Sequence, residues 1–273
     1  MSDTTLNRPA YAFSQSRLAQ FFRDCFVGSR HLSIHALLLF ACFVVTMLLL
    51  LVDDRTLYGA NVWHKPAKFF FSLAVQLVTV AWALSLVPEA VRQQGSVRLA
   101  SWVMIGAAWF EQVYMVFRAA RGEASHFNNS DLFAQIAYAL MGLGALMLVL
   151  TAAWIGVVIW RNRKGALWRE AAGVGLVVGS VLALLAGGYM AQGTGHWVGG
   201  ELSDANGLPI FLWSTTGGDL RIAHFVGQHA MQAVPFAALS GRRGVVYLTA
   251  LAVTVATAAI FVQAAMGIPL FKV

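Results

Sequence analysis

The segment GDLRIAHFVGQHAMQAVP, residues 218–235, puts Asp219, Arg221, His224, Gln228, His229 and Gln232 into a stretch that is otherwise apolar enough to cross a membrane. Side chains of these types can transfer protons, ligate a metal or haem, or line the path of a polar solute. A second such position is Glu111, inside GAAWFEQVYMVF and about 10 Å, two helical turns, from Arg118. A carboxylate among apolar residues needs a partner or a proton.

Helical spacing groups these residues. At about 100° per residue, Lys65, Lys68, Ser72, Gln76 and Thr79 fall on one face of their segment, and Glu111, Tyr114, Met115 and Arg118 on one face of theirs. Asp131, Gln135, Tyr138 and Gly142 form a third stripe; Arg221, His224, Gln228, Gln232 and Pro235 form a fourth, with His229 at its edge. Glu111, Arg118 and Asp219 are the candidate acid–base or charge-stabilising groups, Asp219 also being placed to cap a helix. His224 and His229 stand five apart, about 140° around a helix, so they cannot clasp one metal as an i, i+4 pair would. Each needs ligands from elsewhere, and His126, His196 and Glu111 are the candidates. The alternatives are hydrogen-bonded core histidines and, for Glu111, a buried ion pair or a protonated carboxyl.

His64, His126, His196, His224 and His229, five of the seven histidines, belong to one membrane face, together with NVWHKPAK (61–68), RAARGEASHFNNSD (118–131), GTGHWVGGELSD (193–204) and WSTTGGDLR (213–221). Lys65, Lys68, Arg118, Arg121 and Arg221 could ring a cavity mouth and attract a phosphate or carboxylate group, with Gln228 and Gln232 binding the same ligand or cofactor deeper in. Lipid-anchoring snorkelling is the competing account of the cations, and an ordinary aromatic belt that of Trp63, Trp197 and Trp213. GTGHWVGG and TTGG lack a P-loop lysine and read as turns.

The elements that must position these groups follow from composition. With 59% hydrophobic and 11% charged residues and a mean hydropathy of +0.68, the chain reads as an all-α polytopic membrane helix bundle. Seven spans are expected, within 31–52, 66–88, 97–117, 131–160, 169–192, 219–239 and 244–266, the first retained as a signal anchor and Pro235 kinking the sixth. Leu18, Phe21, Phe22, Cys25 and Phe26 predict an amphipathic interfacial helix in a cytoplasmic segment, 1–30, ahead of a transmembrane domain, 31–273. Twelve of the nineteen Lys and Arg residues lie on the N-terminal side of these spans, which predicts a cytoplasmic N-terminus and an outside C-terminus in a bacterial inner membrane. The same dispersion makes the net charge of +7 a topology signal and argues against a nucleic-acid partner. The partners expected are the lipid bilayer and a small-molecule or lipid ligand in an outward-facing cavity. Cys25 and Cys42 have no CxxC spacing and indicate neither a disulfide nor a thiolate site.

HKPAKF (64–69), ARGEASHFN (120–128) and WSTTGGDLRIAHFVGQHAMQAVP (213–235) resemble a family of uncharacterised bacterial multi-pass membrane proteins, which implies a shared fold and no particular activity. Ser125, His126, Asp219, His224 and His229 also invite comparison with seven-span zinc hydrolases of the alkaline ceramidase and adiponectin-receptor kind, but the late HxxxH pair of those proteins is HxxxxH here. The expectation is a metal- or haem-dependent site for redox or hydrolytic chemistry. A small-solute or proton-coupled transporter and a non-catalytic assembly or sensor protein are the alternatives.

Overall fold

The computed structural model describes residues 15–128, 130–193 and 195–272. Ten α-helices account for most of them: α1 Gln15–Gly28, α2 Arg30–Leu49, α3 His64–Ser85, α4 Glu89–Arg92, α5 Gly95–Ala120, α6 Leu132–Arg161, α7 Leu167–Ala191, α8 Leu220–Gln228, α9 Ala230–Ala237 and α10 Arg243–Ala265, with a 3-10 turn at Ala238–Ser240. Among the described residues, sheet is confined to two small antiparallel pairs, β1 Thr56–Leu57 with β2 Ala60–Asn61, and β3 Trp197–Val198 with β4 Gly218–Asp219.

Six helices, α2, α3, α5, α6, α7 and α10, are long and apolar enough to cross a membrane. Large apolar side chains such as Leu48, Val113, Leu185 and Leu248 stand on their outer faces, as a lipid solvent demands. The expected sixth span is not one continuous helix. It divides at His229 into α8 and α9, and Pro235 lies within α9. Proline removes the amide that the carbonyl four residues back would accept and crowds that carbonyl, so irregularity belongs upstream of the proline, where the break is found.

Close packing explains how a broken helix is held. Ala171, Gly175, Gly179, Ala183 and Gly187 recur every four residues along α7, and α8 and α9 lie on that stripe. A Cβ on Gly175 would come within 2.8 Å of the Pro235 ring, and one on Gly179 within 2.9 Å of the Gln228 carbonyl oxygen. Such small-residue contacts let helix backbones approach where lipid offers no hydrophobic drive. The largest apolar core joins α1, α2, α3, α5, α6 and α7, and a second joins α7, α9 and α10.

α1 forms where the sequence predicts a helix, but the five apolar residues are not equivalent: Cys25 is buried, with its Sγ 4.0 Å from the Val78 carbonyl oxygen, while Leu18, Phe22 and Phe26 are exposed. The stripe Asp131–Gln135–Tyr138–Gly142 also needs correction. α6 buries Ala134, Ala137, Met141 and Gly144, and Gln135 and Gly142 are exposed. Asp131 does not face the interior because it caps α6, accepting from the Ala134 amide at 2.8 Å.

The bundle has two unlike ends. One, bearing Leu49, His64, Ala120, Leu132, Ala191 and Leu220, carries the longer connections 50–63, 121–131 and 192–219; the other has short ones.

Candidate functional site

The loop-rich end is organised around Arg221, just inside the start of α8. Its guanidinium donates to Asp219 (2.7 Å from Nη2 to Oδ2), Asp204 (2.8 Å from Nη2 to Oδ1) and the Leu212 carbonyl. Asp219, only 1% exposed, also accepts from the backbone amides of Ser214 and Arg221 at 2.9 and 3.0 Å, so it caps α8 as expected and closes the 214–219 turn. Asp204 ties the 192–219 connection back to this point, and its backbone amide donates to the Tyr58 carbonyl at 2.8 Å. Burial works to raise the Asp204 carboxyl, but His196 and Arg221 outweigh it and hold the group at about 2. The cover reaches α3 as well: Lys68 Nζ donates to the Phe211 carbonyl at 3.0 Å.

Deeper in, α3 and the α8–α9 segment exchange amides. Gln228 Nε2 donates to Gln76 Oε1 at 3.3 Å, Gln76 Nε2 to the Leu148 carbonyl at 3.4 Å, and Gln232 Nε2 to Thr79 Oγ1 at 2.9 Å. Lys65, Gln76 and Thr79 thus mark a polar file about 21 Å long on α3. Ser72, expected in the same file, is exposed and bonds to its own helix at Phe69.

Glu111 lies against this file from α5. It is 2% exposed, Lys65 is the cation that acts on it, and its Oε1 has no hydrogen-bond partner. Gly144 of α6 makes room for it, since a Cβ there would stand 2.8 Å from Oε1. The next residue, Gln112, is 0% exposed with neither amide atom partnered. Arg118, two turns on, bonds Tyr114 Oη at 2.9 Å and pairs with Glu123, while its Nη2 is buried and unpartnered. Unpaired buried polar atoms cost about 1–3 kcal/mol each, and Glu111, Gln112 and Arg118 place a run of them along α5.

The four histidines expected as metal ligands do not converge. His126 Nδ1 meets Ser125 Oγ at 3.1 Å, with its ring near Phe69 and Tyr138; burial and the charge of Lys65 push it well below the ordinary imidazole range. His196 meets Trp197 with centroids 3.9 Å apart and ring planes tilted by 40°, and its Nε2 is 3.6 Å from Asp204, beyond hydrogen-bond distance. His224 turns to α7, where Nδ1 meets the Ala183 carbonyl at 3.1 Å. His229 is exposed at the helix break, its Nδ1 2.7 Å from the Phe225 carbonyl. Among the described residues no group of three or more His, Cys, Asp or Glu is arranged to hold a metal ion. The sixth-segment stripe has been divided: Gln228 and Gln232 face α3, whereas His224 and Pro235 face α7.

Sequence reasoning passed over Asp204 and Gln112. Asp204 sits in a loop where an acid is unremarkable, and only the folded cover brings it to Arg221. Gln112 lay in plain view inside an apolar run, but it is about 100° from the Glu111 stripe, and α5 buries more of its circumference than one stripe. Comparison with protein-family models, with curated proteins and with solved structures finds no match to this chain.

Proposed function

We propose that this chain is a proton-coupled carrier of a small polar solute, built from seven crossings of a bacterial inner membrane. In this reading α8, α9 and the 3-10 turn form the seventh crossing, a broken one whose rise of about 30 Å suffices for the hydrocarbon core. The N-terminus and the 1–30 segment, with α1 along the interface, lie on the cytoplasmic side; the loop-rich end and the C-terminus lie outside, and 31–273 is the transmembrane domain. The excess of Lys and Arg at the short-loop end supports that orientation, and the HKPAKF, ARGEASHFN and GDLR motifs are what would ally the chain with the multi-pass family that they resemble.

One observation carries the reading. A polar file runs inward from Lys65 through the Gln76–Gln228 and Thr79–Gln232 pairs, flanked by a buried Glu111 whose Oε1 has no partner. These are groups that pass protons and hydrogen bonds, not a convergent ligand or nucleophile set. Below Thr79, Val80, Leu84, Leu176 and Met231 belong to one buried apolar cluster and would act as the barrier that a carrier must open. Glu111 takes the proton-carrying role, Lys65 and Lys68 attract the solute beneath the 192–219 cover, and Arg118 is the gating charge. Broken helices at mid-membrane are a recurrent way to present backbone and side-chain polar groups to a solute.

Purified protein in liposomes that enclose a pH-sensitive dye tests this. Under an imposed pH gradient, with potassium and valinomycin to balance charge and a panel of small polar solutes added in turn, the wild type should show solute-dependent acidification of the lumen that empty liposomes lack, and Glu111→Gln should slow this by at least about tenfold while eluting as wild type and keeping its helical circular dichroism. Wild-type rates equal to those of empty liposomes with every solute, or an unimpaired Glu111→Gln, would overturn the proposal.

A further inference from the structure

The short-loop end holds a feature separate from the polar file. A cavity of about 310 Å³ opens where the α1–α2 junction, α4 and the first turns of α5 meet, and Arg30, His31, Arg92, Arg98, Ser101 and Trp102 line it. That is the room of about ten water molecules. Three guanidinium groups and one carboxylate, Glu89, give its walls an excess of positive charge. Among the described residues, none of the three arginines forms a salt bridge: Arg92 donates to the Val87 carbonyl at 2.8 Å, and Arg30 and Arg98 are exposed. His31 and Trp102 meet with centroids 4.6 Å apart and ring planes tilted by 44°, which gives the cavity one aromatic wall. Beside this wall stand exposed apolar side chains, Phe26, Val27 and Trp102, and Leu99 one turn away on α5.

We infer that this cavity binds the phosphate headgroup of an anionic phospholipid, with its acyl chains laid along Trp102 and Leu99. Unpaired guanidiniums are suited to phosphate because their planar forks match its oxygens, and the pairing strengthens where water is partly excluded. Basic pockets between transmembrane helices are a known means of holding such headgroups. The apolar rim favours an amphiphile over a free anion, because a soluble phosphate would gain nothing from Phe26, Val27 and Trp102. Placement at the end rich in Lys and Arg agrees with an anionic leaflet, but the inference stands on the cavity itself and does not depend on the carrier reading.

Native mass spectrometry of the full chain in a non-ionic detergent, titrated with phosphatidylglycerol, phosphatidylcholine or inorganic phosphate, provides the test. One equivalent of phosphatidylglycerol should be retained in preference to phosphatidylcholine. Arg30→Gln with Arg98→Gln should weaken it roughly twenty-five-fold, at about fivefold for each arginine near the surface, whereas Arg242→Gln, at the same end but outside the cavity, should leave it unchanged. If the double variant aggregates, Arg98→Gln alone, at an exposed position, should show the smaller loss. Equal retention by wild type and the arginine variants, or an equal loss in Arg242→Gln, would overturn the site. Competition by inorganic phosphate with no preference for phosphatidylglycerol over phosphatidylcholine would overturn the lipid as its source.

Discussion

Arg221 and Glu111 are both ionisable groups held inside the same bundle, and they are treated in opposite ways. Every nitrogen of the Arg221 guanidinium is engaged, by two carboxylates and a carbonyl drawn from the cover and the start of α8. Glu111 has an unpartnered oxygen, an unpartnered amide beside it and a half-satisfied arginine two turns away. Removing water from a charge is costly unless geometry and hydrogen bonding compensate. The clasp meets that condition and so reads as architecture. The α5 stretch does not, which is what the carrier reading would turn to use.

The sharpest break of this contrast is Arg221→Met. It strands Asp219, which is buried, and Asp204 without their cation, and removal of one partner from a buried pair costs about 3–5 kcal/mol. Thermal or denaturant unfolding in detergent should show a loss of that size, with the 192–219 connection becoming the first site of proteolysis. A loss under about 1 kcal/mol, the range of exposed pairs, would mean that Arg221 is not the post holding the cover.

Acid should loosen the same region in two steps. Burial, opposed by Asp204, holds His196 below its ordinary 6.5, and Asp204 is held at about 2 against a usual 3.8. Both folded values lie below the unfolded ones, so each group contributes stability that is complete above its unfolded value and is lost as pH falls. His196 gives way below about 6.5 and Asp204 between 3.8 and about 2, the latter contributing about 1–2 kcal/mol after allowance for its contact with water. His196→Gln should remove the first step from a melting-temperature profile and reduce the second, since His196 is one of the two groups that hold Asp204 low. A profile flat from pH 7 to pH 5 in the wild type would remove His196 from the cover.

The architecture was largely legible from the chain because lipid imposes one rule on every span, and length with hydropathy captures it. Six apolar helices answer to it directly, as does the Asp219 cap, whereas Asp131, read as part of an inward stripe, caps α6 instead. What periodicity could not supply was which neighbour each face meets. One stripe on the 221–235 segment looked like one site, yet the break at His229 and the glycines of α7 turn half of it toward α7. The clasp depends on Asp204, whose place is fixed by tertiary folding of a loop and by no helical period. Convergence of histidines was inferred from a shared membrane face, and a face of a bundle is far wider than a ligand sphere.

The smallest expected effect tests the other half of the contrast. Gln112 is fully buried with both amide atoms unpartnered, so Gln112→Leu replaces an unsatisfied polar group by an apolar one of similar size. If the amide were merely misplaced structure, the change would relieve its desolvation and stabilise the protein by up to about 1 kcal/mol without altering flux. If Gln112 lines the path beside Glu111, the same variant should melt no lower than wild type but move protons more slowly, since the gain in packing removes a hydrogen-bonding step. Stability and transport thus shift in opposite directions only where the deficit is functional, and a variant that is more stable and equally fast would return the α5 stretch to ordinary packing.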